Sequence, residues 1–268
     1  MLLIAFRLKW ANTFEGIRGA EAMYRQCCWR LLMIPKLNTD TPYTRSAIAT
    51  GGTINLGYYY AALEIARQQP DWLVVICSRS DPERAVDKVR AFAGEWAARN
   101  RPPIQALLLN AGLHFPSKTA TNAEGVEATF AINHVGHALL FRLLCSARVV
   151  VTSSGTHDPA TQSGMPDAAY TTAAGLARPP AANYTNSKLA NLLWAYALQR
   201  RLGARAPGTA AARLEALGRG AGKRYEGPRE IPSSVASYNP AKRDDPWHWT
   251  VNHVAWGEAE AARFEAFS

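Results

Sequence analysis

Four short apolar runs alternate with helically spaced stretches over residues 46–202. Residues 47–50 lead into Gly51-Gly52-Thr53-Ile54-Asn55-Leu56-Gly57, and a helix follows over 58–69. The next run, Asp71-Trp72-Leu73-Val74-Val75-Ile76-Cys77, precedes a helix over 81–99 that Pro102 and Pro103 stop. A third run covers 104–109, a long helix 123–145, a fourth run 147–152, and a last helix runs from Tyr184 to about residue 202. Brief apolar runs bounded by turn residues read as strands buried on both faces, and their alternation with helices predicts an α/β fold with a parallel sheet.

The flanks read differently. Residues 1–45 open on a brief apolar stretch, and Arg7, Lys9, Arg18, Arg25, Arg30 and Lys36 then spread positive charge along what reads as an amphipathic helix or an appended extension. Residues 203–222 are rich in Ala, Gly and Arg, with no β-branched run to make a strand. Residues 226–268 read as a strand, a loop and a terminal helix, with Trp247, His248, Trp249 and Trp256 as packing residues. The resulting division is an N-terminal extension (1–45), a central α/β domain (46–202) and a C-terminal region (203–268).

Composition narrows the function classes. The chain has 268 residues, 48% apolar and 19% charged, which suits one globular domain with a tail. No apolar stretch approaches the roughly 18 residues that a membrane-spanning helix needs. A net charge of +9 suits an anionic partner, but no nucleic-acid-binding motif spacing accompanies it, so a phosphorylated small ligand is favoured over nucleic acid. Cys27, Cys28, Cys77 and Cys145 form no C-x-x-C pair and read as free thiols in a reducing compartment, which points to the cytoplasm. A mitochondrial or membrane-peripheral location through the N-terminal segment is the alternative, although Glu15, Glu21 and the scarcity of Ser argue against a presequence. His134 and His137 share a helical face without a third ligand nearby, which favours packed positions over a metal site.

Two constellations carry chemistry. A strand, a glycine turn and a helix start form an anion-binding unit, because glycines admit a pyrophosphate close to the backbone and the helix N-terminus offers N–H donors. Arg79, at the end of the second strand, stands where such folds meet the adenosine ribose, and an arginine there accommodates a 2′-phosphate, so it points to NADP over NAD. Asn110, Ala111 and Gly112 end the third strand with small groups that permit close approach of a cofactor ring. Tyr184 and Lys188, four residues apart, share one helical face. A fixed positive charge beside a phenol favours the phenolate, so Tyr184 suits a general acid or base.

The motifs Thr50 to Gly57, Asn110-Ala111-Gly112, Asn133, Ser153-Ser154 and Tyr184-x-x-x-Lys188, in that order, resemble the short-chain dehydrogenase/reductase family. The likeness covers about residues 46–202, with a further similarity over 222–238, and Asn133-His134-Val135-Gly136-His137 is most similar to its retinol dehydrogenase and protochlorophyllide-reductase-like members. The resemblance implies a Rossmann-like, doubly wound, three-layer sheet and NADP-dependent reduction of a carbonyl or oxidation of a secondary alcohol. It implies that Tyr184 donates the proton, that Lys188 lowers its pKa and binds the nicotinamide ribose, and that Ser154 orients the carbonyl, with Ser153 the alternative. Asn133 would hold a water of the proton relay. Thr50, Gly51, Gly52, Thr53, Asn55, Leu56, Gly57, Arg79, Asn110, Ala111 and Gly112 would hold the cofactor. Partners are a small carbonyl or alcohol substrate and, by the same resemblance, a second copy of the chain.

Four departures qualify it. Asn55 replaces the middle glycine of the turn, and only about thirty residues separate Arg79 from Asn110, enough for one helix but not for the family's extra strand, whose loss would expose the second strand as an edge. The connector before residue 147 is compressed. The family's sixth strand and the Pro-Gly element after it have no match beyond Pro207-Gly208-Thr209, and its substrate-binding helices have none. An impaired relative, or an incomplete chain serving as a binding or scaffold protein, is therefore the alternative function.

Overall fold

The computed structural model describes residues 2–6, 43–51, 62–78, 85–114, 120–144, 148–178, 184–203, 224–226 and 229–266. Its sheet contains β1 (Leu2–Phe6), β2 (Arg45–Thr50), β3 (Trp72–Ser78), β4 (Ile104–Leu109) and β5 (Arg148–Val151) in the order β1-β3-β2-β4-β5. Strands β2 to β5 are mutually parallel, as the buried apolar runs predict. This is the Rossmann-like α/β arrangement expected from the sequence.

Helices cover both faces. Ile48, Leu73, Val75, Leu107 and Leu109 pack in one core with Phe92 of α2 (Ala85–Ala98), Phe141 of the long helix α3 (128–144) and Trp194 of α5 (Tyr184–Gly203), which follows the short helix α4 (Ala173–Leu176). Helix α3 continues through Ala128–Phe130, a π-helical turn Ala131–Val135 and Gly136–Leu144. The alternate strand positions Ala49, Val74 and Ile76 face Ala62 on the other side, with Ile65 and Ala66 of α1 (Leu63–Gln68) packed against them. That opposition is the two-residue period of a strand covered on both faces.

The N-terminus departs from the sequence reading. Leu2–Phe6 is a strand, not part of a helix or an appended extension, and pairs antiparallel with β3 from Leu2↔Ser78 to Phe6↔Val74. The second strand of the α/β unit is therefore not an exposed edge. An unpaired β3 would leave a row of N–H and C=O groups exposed, and the short segment laid alongside satisfies them.

The C-terminus departs as well. After a hairpin of β6 (Arg224–Glu226) and β7 (Arg229–Ile231) and a 3-10 turn over Val235–Tyr238 come two helices, α6 (Pro240–Val254) and α7 (Glu258–Ala266), where one was expected. Asn239 caps α6 by accepting from Ala241 N at 3.0 Å and Lys242 N at 3.3 Å, and Pro240 opens it, the residue types that start helices. Val251 and Val254 of α6 and Phe264 of α7 form a second core with Leu139 of α3 and Leu189 and Leu193 of α5.

The tryptophans of this region divide. Trp247 is fully buried, stacked on Trp194 at 6.1 Å between ring centroids, with the guanidinium carbons of Arg142 and Arg201 at 4.3 and 4.4 Å from its ring centre. Trp256, read from sequence as a packing residue, is instead 73% exposed. Cys77 is a buried free thiol, and burial pushes its pKa up to about 12; Cys27, Cys28 and Cys145 lie outside the described residues, as does Pro207-Gly208-Thr209. Among the described residues no helix is long and apolar enough to cross a membrane. Truncating Trp247 empties the joint between α5 and α6, so Trp247→Ala is expected to lose about 3–5 kcal/mol of stability, measured by urea unfolding.

Candidate active site

From β2 the chain crosses through α1 to β3 on one side, and it later returns through α2 to β4 on the other. The carboxyl ends of β2 and β4 therefore flank the point where the winding reverses, the crevice in which open α/β sheets bind ligands. Five of the residues singled out in the sequence lie there: Thr50, Gly51, Asn110, Ala111 and Gly112.

Thr50 holds the crevice together. Its Oγ1 accepts from Asn110 N at 2.9 Å and Ala111 N at 3.0 Å, which binds the end of β2 to the end of β4. The Asn110 side chain continues the clamp, donating through Nδ2 to Thr50 O at 3.3 Å and accepting at Oδ1 from Thr152 Oγ1 beyond β5 at 3.2 Å. Gly51 has φ +65°, and a Cβ there would lie 2.7 Å from Ala111 Cα, so glycine serves both the left-handed turn and the close approach.

His137 of α3 reaches the same hydroxyl, with Nε2 2.9 Å from Thr50 Oγ1, while its Nδ1 lies 3.1 Å from the carbonyl oxygen of Asn133. A carbonyl only accepts, so Nδ1 carries the proton, and in the neutral ring Nε2 accepts from the Thr50 hydroxyl. His134 and His137 are both buried, as their shared helical face suggests; burial lowers His134 to about 4.

Asn133 sits on the π-helical turn, a widening of the helix that frequently accompanies functional sites. Its side chain pairs with the Leu113 backbone, accepting from N and donating to O at 2.9 Å each, and its Nδ2 also donates to Ser187 Oγ at 3.1 Å. Ser187 in turn donates to Tyr184 O at 2.7 Å. Asn133 thus joins the backbone that follows β4 to the first turn of α5.

Tyr184 heads α5 half-buried, with Lys188 one turn on. The Lys188 Nζ lies 5.3 Å from the Tyr184 ring centre and donates to Thr152 O at 3.2 Å. Lys188 is 2% exposed, and desolvation lowers its pKa to about 8. Gly112 makes room for it: a Cβ there would come within 3.1 Å of Nζ. The two serines divide their tasks. Ser153 Oγ donates to Lys188 O at 2.9 Å, whereas Ser154 Oγ accepts from Thr156 N at 3.3 Å and Thr156 Oγ1 at 3.1 Å, so its own hydrogen is left to donate outward. Gly52, Thr53, Asn55, Leu56, Gly57 and Arg79, expected to hold the cofactor, lie outside the described residues.

Human polyprenol dehydrogenase is 32% identical over 196 residues, which are 60% of this chain and 56% of that protein. Protochlorophyllide reductase of Avena sativa is 31% identical over 165 residues, 58% of this chain and 46% of that one. Short-chain dehydrogenase TIC 32 A, chloroplastic, of Brassica napus is 32% identical over 137 residues, 44% and 39%. The chain is a relative of the short-chain dehydrogenases/reductases. It spans about half the length of the relatives it matches, and no protein-family model matches it. A crystal structure of an uncharacterised protein from Mycobacterium paratuberculosis shares the fold, with a TM-score of 0.53 over 80% of this chain and 96% of that one, at 23% identity.

Within this short-chain dehydrogenase relative, sequence reasoning missed the parts of His137, Ser153 and Ser187. Histidine and serine are common packing residues, and only the fold shows which backbone groups theirs meet.

Two outcomes follow from the geometry. Gly51→Ala strains the turn and strikes the Ala111 backbone, so a loss of about 1–3 kcal/mol in denaturant unfolding is expected. Lys188 titrates at about 8 folded and near its ordinary value of about 10.4 unfolded. Between these the unfolded chain binds the extra proton, so Lys188 opposes folding below about pH 8 and the penalty is relieved as pH rises toward 10. Relative to Lys188→Met, the native chain should gain about 2 kcal/mol between unfolding at pH 7.5 and at pH 10.

Proposed function

We propose that this chain is an oxidoreductase that reduces a carbonyl, or oxidises a secondary alcohol, with NADP as cofactor and Tyr184 as general acid/base. The observation that carries the reading is the burial of the Lys188 ammonium between Gly112 and the Tyr184 ring, at the crevice where the sheet reverses its winding. Lys188 donates to the Thr152 carbonyl, which leaves donors of the ammonium for the hydroxyls of a ribose.

The residues present fit a dinucleotide. Gly51 and Gly112 keep the floor of the crevice free of side chains at two strand ends, and Thr50, Asn110 and Ala111 lock those ends together. Lys188, Tyr184 and the strand-end backbone would hold the nicotinamide half, residues 52–57 the pyrophosphate and Arg79 the 2′-phosphate. When bound, the nicotinamide supplies the hydride. The chain itself manages charge on the carbonyl oxygen: Ser154 donates a hydrogen bond to it, and Tyr184 delivers the proton. The Lys188 ammonium favours the phenolate that remains. Asn133, through Ser187, holds the first turn of α5 so that phenol and ammonium keep their places.

A second reading is a non-catalytic binding or scaffold protein derived from such an enzyme. It is favoured by β5, which is the last strand of the sheet among the described residues and leaves Val150 46% exposed at that edge. Fluorescence titration with NADPH and with NADH, followed by NADPH oxidation against a panel of carbonyls, separates the two. The reductase binds NADPH more tightly than NADH and turns over. Tyr184→Phe should then lose about 100- to 10,000-fold in kcat while NADPH still binds; full activity in that variant would remove Tyr184 from the chemistry.

A further inference from the structure

The C-terminal segment 232–238 does more than close the surface. We propose that His157 is a positioning residue that holds the backbone of Ser154 in place and ties it to this segment, which makes the C-terminal region part of the catalytic frame; the assignment rests on the reductase reading above.

His157 ends the 3-10 turn Gly155–His157 that follows Ser154, and it is fully buried. The carbonyl oxygen of Ser154 takes two donors from this one residue, the His157 backbone N at 3.3 Å and the ring Nδ1. A carbonyl has two acceptor sites, so His157 occupies both and fixes the plane of the Ser154–Gly155 peptide. On the far side of the ring, Nε2 faces Ser233 Oγ at 3.1 Å and Ser234 N at 3.4 Å. The Ser234 N–H only donates, so Nε2 must accept, and the ring is the neutral Nδ1–H tautomer. Burial lowers the His157 pKa, which maintains that neutral form.

The segment that His157 grips is itself firmly based. Ser234 O accepts from Ser237 N at 3.0 Å and Ser237 Oγ at 2.7 Å, and Ser233 N donates to Tyr238 Oη at 2.9 Å. The Tyr238 ring stacks on Tyr196 of α5 at 5.8 Å, and Arg243 of α6 donates to Ser237 O at 3.1 Å. Helix α5 carries Tyr184 and Lys188. The imidazole therefore closes a loop of contacts from the proton donor's helix, through the C-terminal turn, to the serine that meets the substrate oxygen. Without it, Ser154 is held mainly through its neighbours, by the Ser153 bond to Lys188 O on one side and the bonds of Gly155 O to Asp158 N and Thr161 Oγ1 on the other.

The test uses the full chain and four readouts: kcat, KM for a carbonyl that it reduces, NADPH affinity, and thermal unfolding. His157→Ala should lower kcat about 10- to 100-fold, the cost of a displaced catalytic group, while NADPH affinity, set at the ends of β2 and β4, stays within about twofold. His157→Asn places an amide N–H where Nδ1 was and should recover kcat to within about threefold, whereas His157→Gln, whose amide reaches toward the Nε2 side, should not. If His157→Ala does not fold, Ser233→Ala removes one bond to Nε2 at little structural cost and should lower kcat about threefold or more, with unfolding unchanged. Turnover by the native chain together with an unimpaired His157→Ala, or equal recovery by Asn and Gln, overturns the role of His157 alone. No turnover by the native chain with any carbonyl overturns the reductase reading on which it stands.

Discussion

A buried ammonium is the constraint around which the rest of this molecule is arranged. Lys188 is 2% exposed and donates to a carbonyl, and a charge withdrawn from water to that extent costs several kcal/mol unless polar groups surround it. The surroundings are polar because strand ends meet there. Strands β4 and β5 stop one after the other beside α5, and their last residues bring Thr152 O, Gly112 and, through Asn133, the Leu113 backbone to one place. The parallel sheet thus delivers at its carboxyl end the backbone dipoles that a buried Lys requires.

The groups that maintain this arrangement are mostly small and uncharged. The Thr50 hydroxyl binds β2 to β4 and receives His137 from α3, the Asn133 side chain binds the continuation of β4 to α5, and Ser153 binds the loop after β5 to the Lys188 carbonyl. Each is nearly saturated by backbone partners, and such closed networks specify one geometry because any slip leaves a buried donor or acceptor unpaired. Charge is used sparingly inside and placed at the joints of the C-terminal helices, where Arg90 meets Glu260 and Arg142 and Arg201 flank Trp247.

The β3 side of the sheet is covered by a local element. One segment takes the edge left on β3, and a single helix, α2, spans from β3 to β4 on the face shared with α3 and α5. On the side of α3 and α5 away from the sheet, α6 and α7 build a second core. The resemblance to reductases covers the crevice and the helix that carries Tyr184 and Lys188; the departures from it lie at the periphery, where a few residues suffice to satisfy exposed backbone and apolar surface.

The amino-acid sequence by itself determined the parallel strands, the crevice at their ends and the Tyr184–Lys188 pair, because periodicity and i, i+4 spacing are local properties that packing rarely overrules. It did not determine that Leu2–Phe6 enters the sheet, since five apolar residues are ambiguous until an unpaired edge is at hand. The second C-terminal helix was likewise hidden: a Pro, two Asp and a mixed run of Trp and His give α6 little periodic signal, and its burial against α5 decides the conformation. Nor did it reveal the parts of His137, Ser153, Ser187 and His157. Their partners are backbone carbonyls, amides and hydroxyls as far as 87 residues away, and such groups are the same at every position of a chain; only the tertiary structure decides which of them a given side chain will meet.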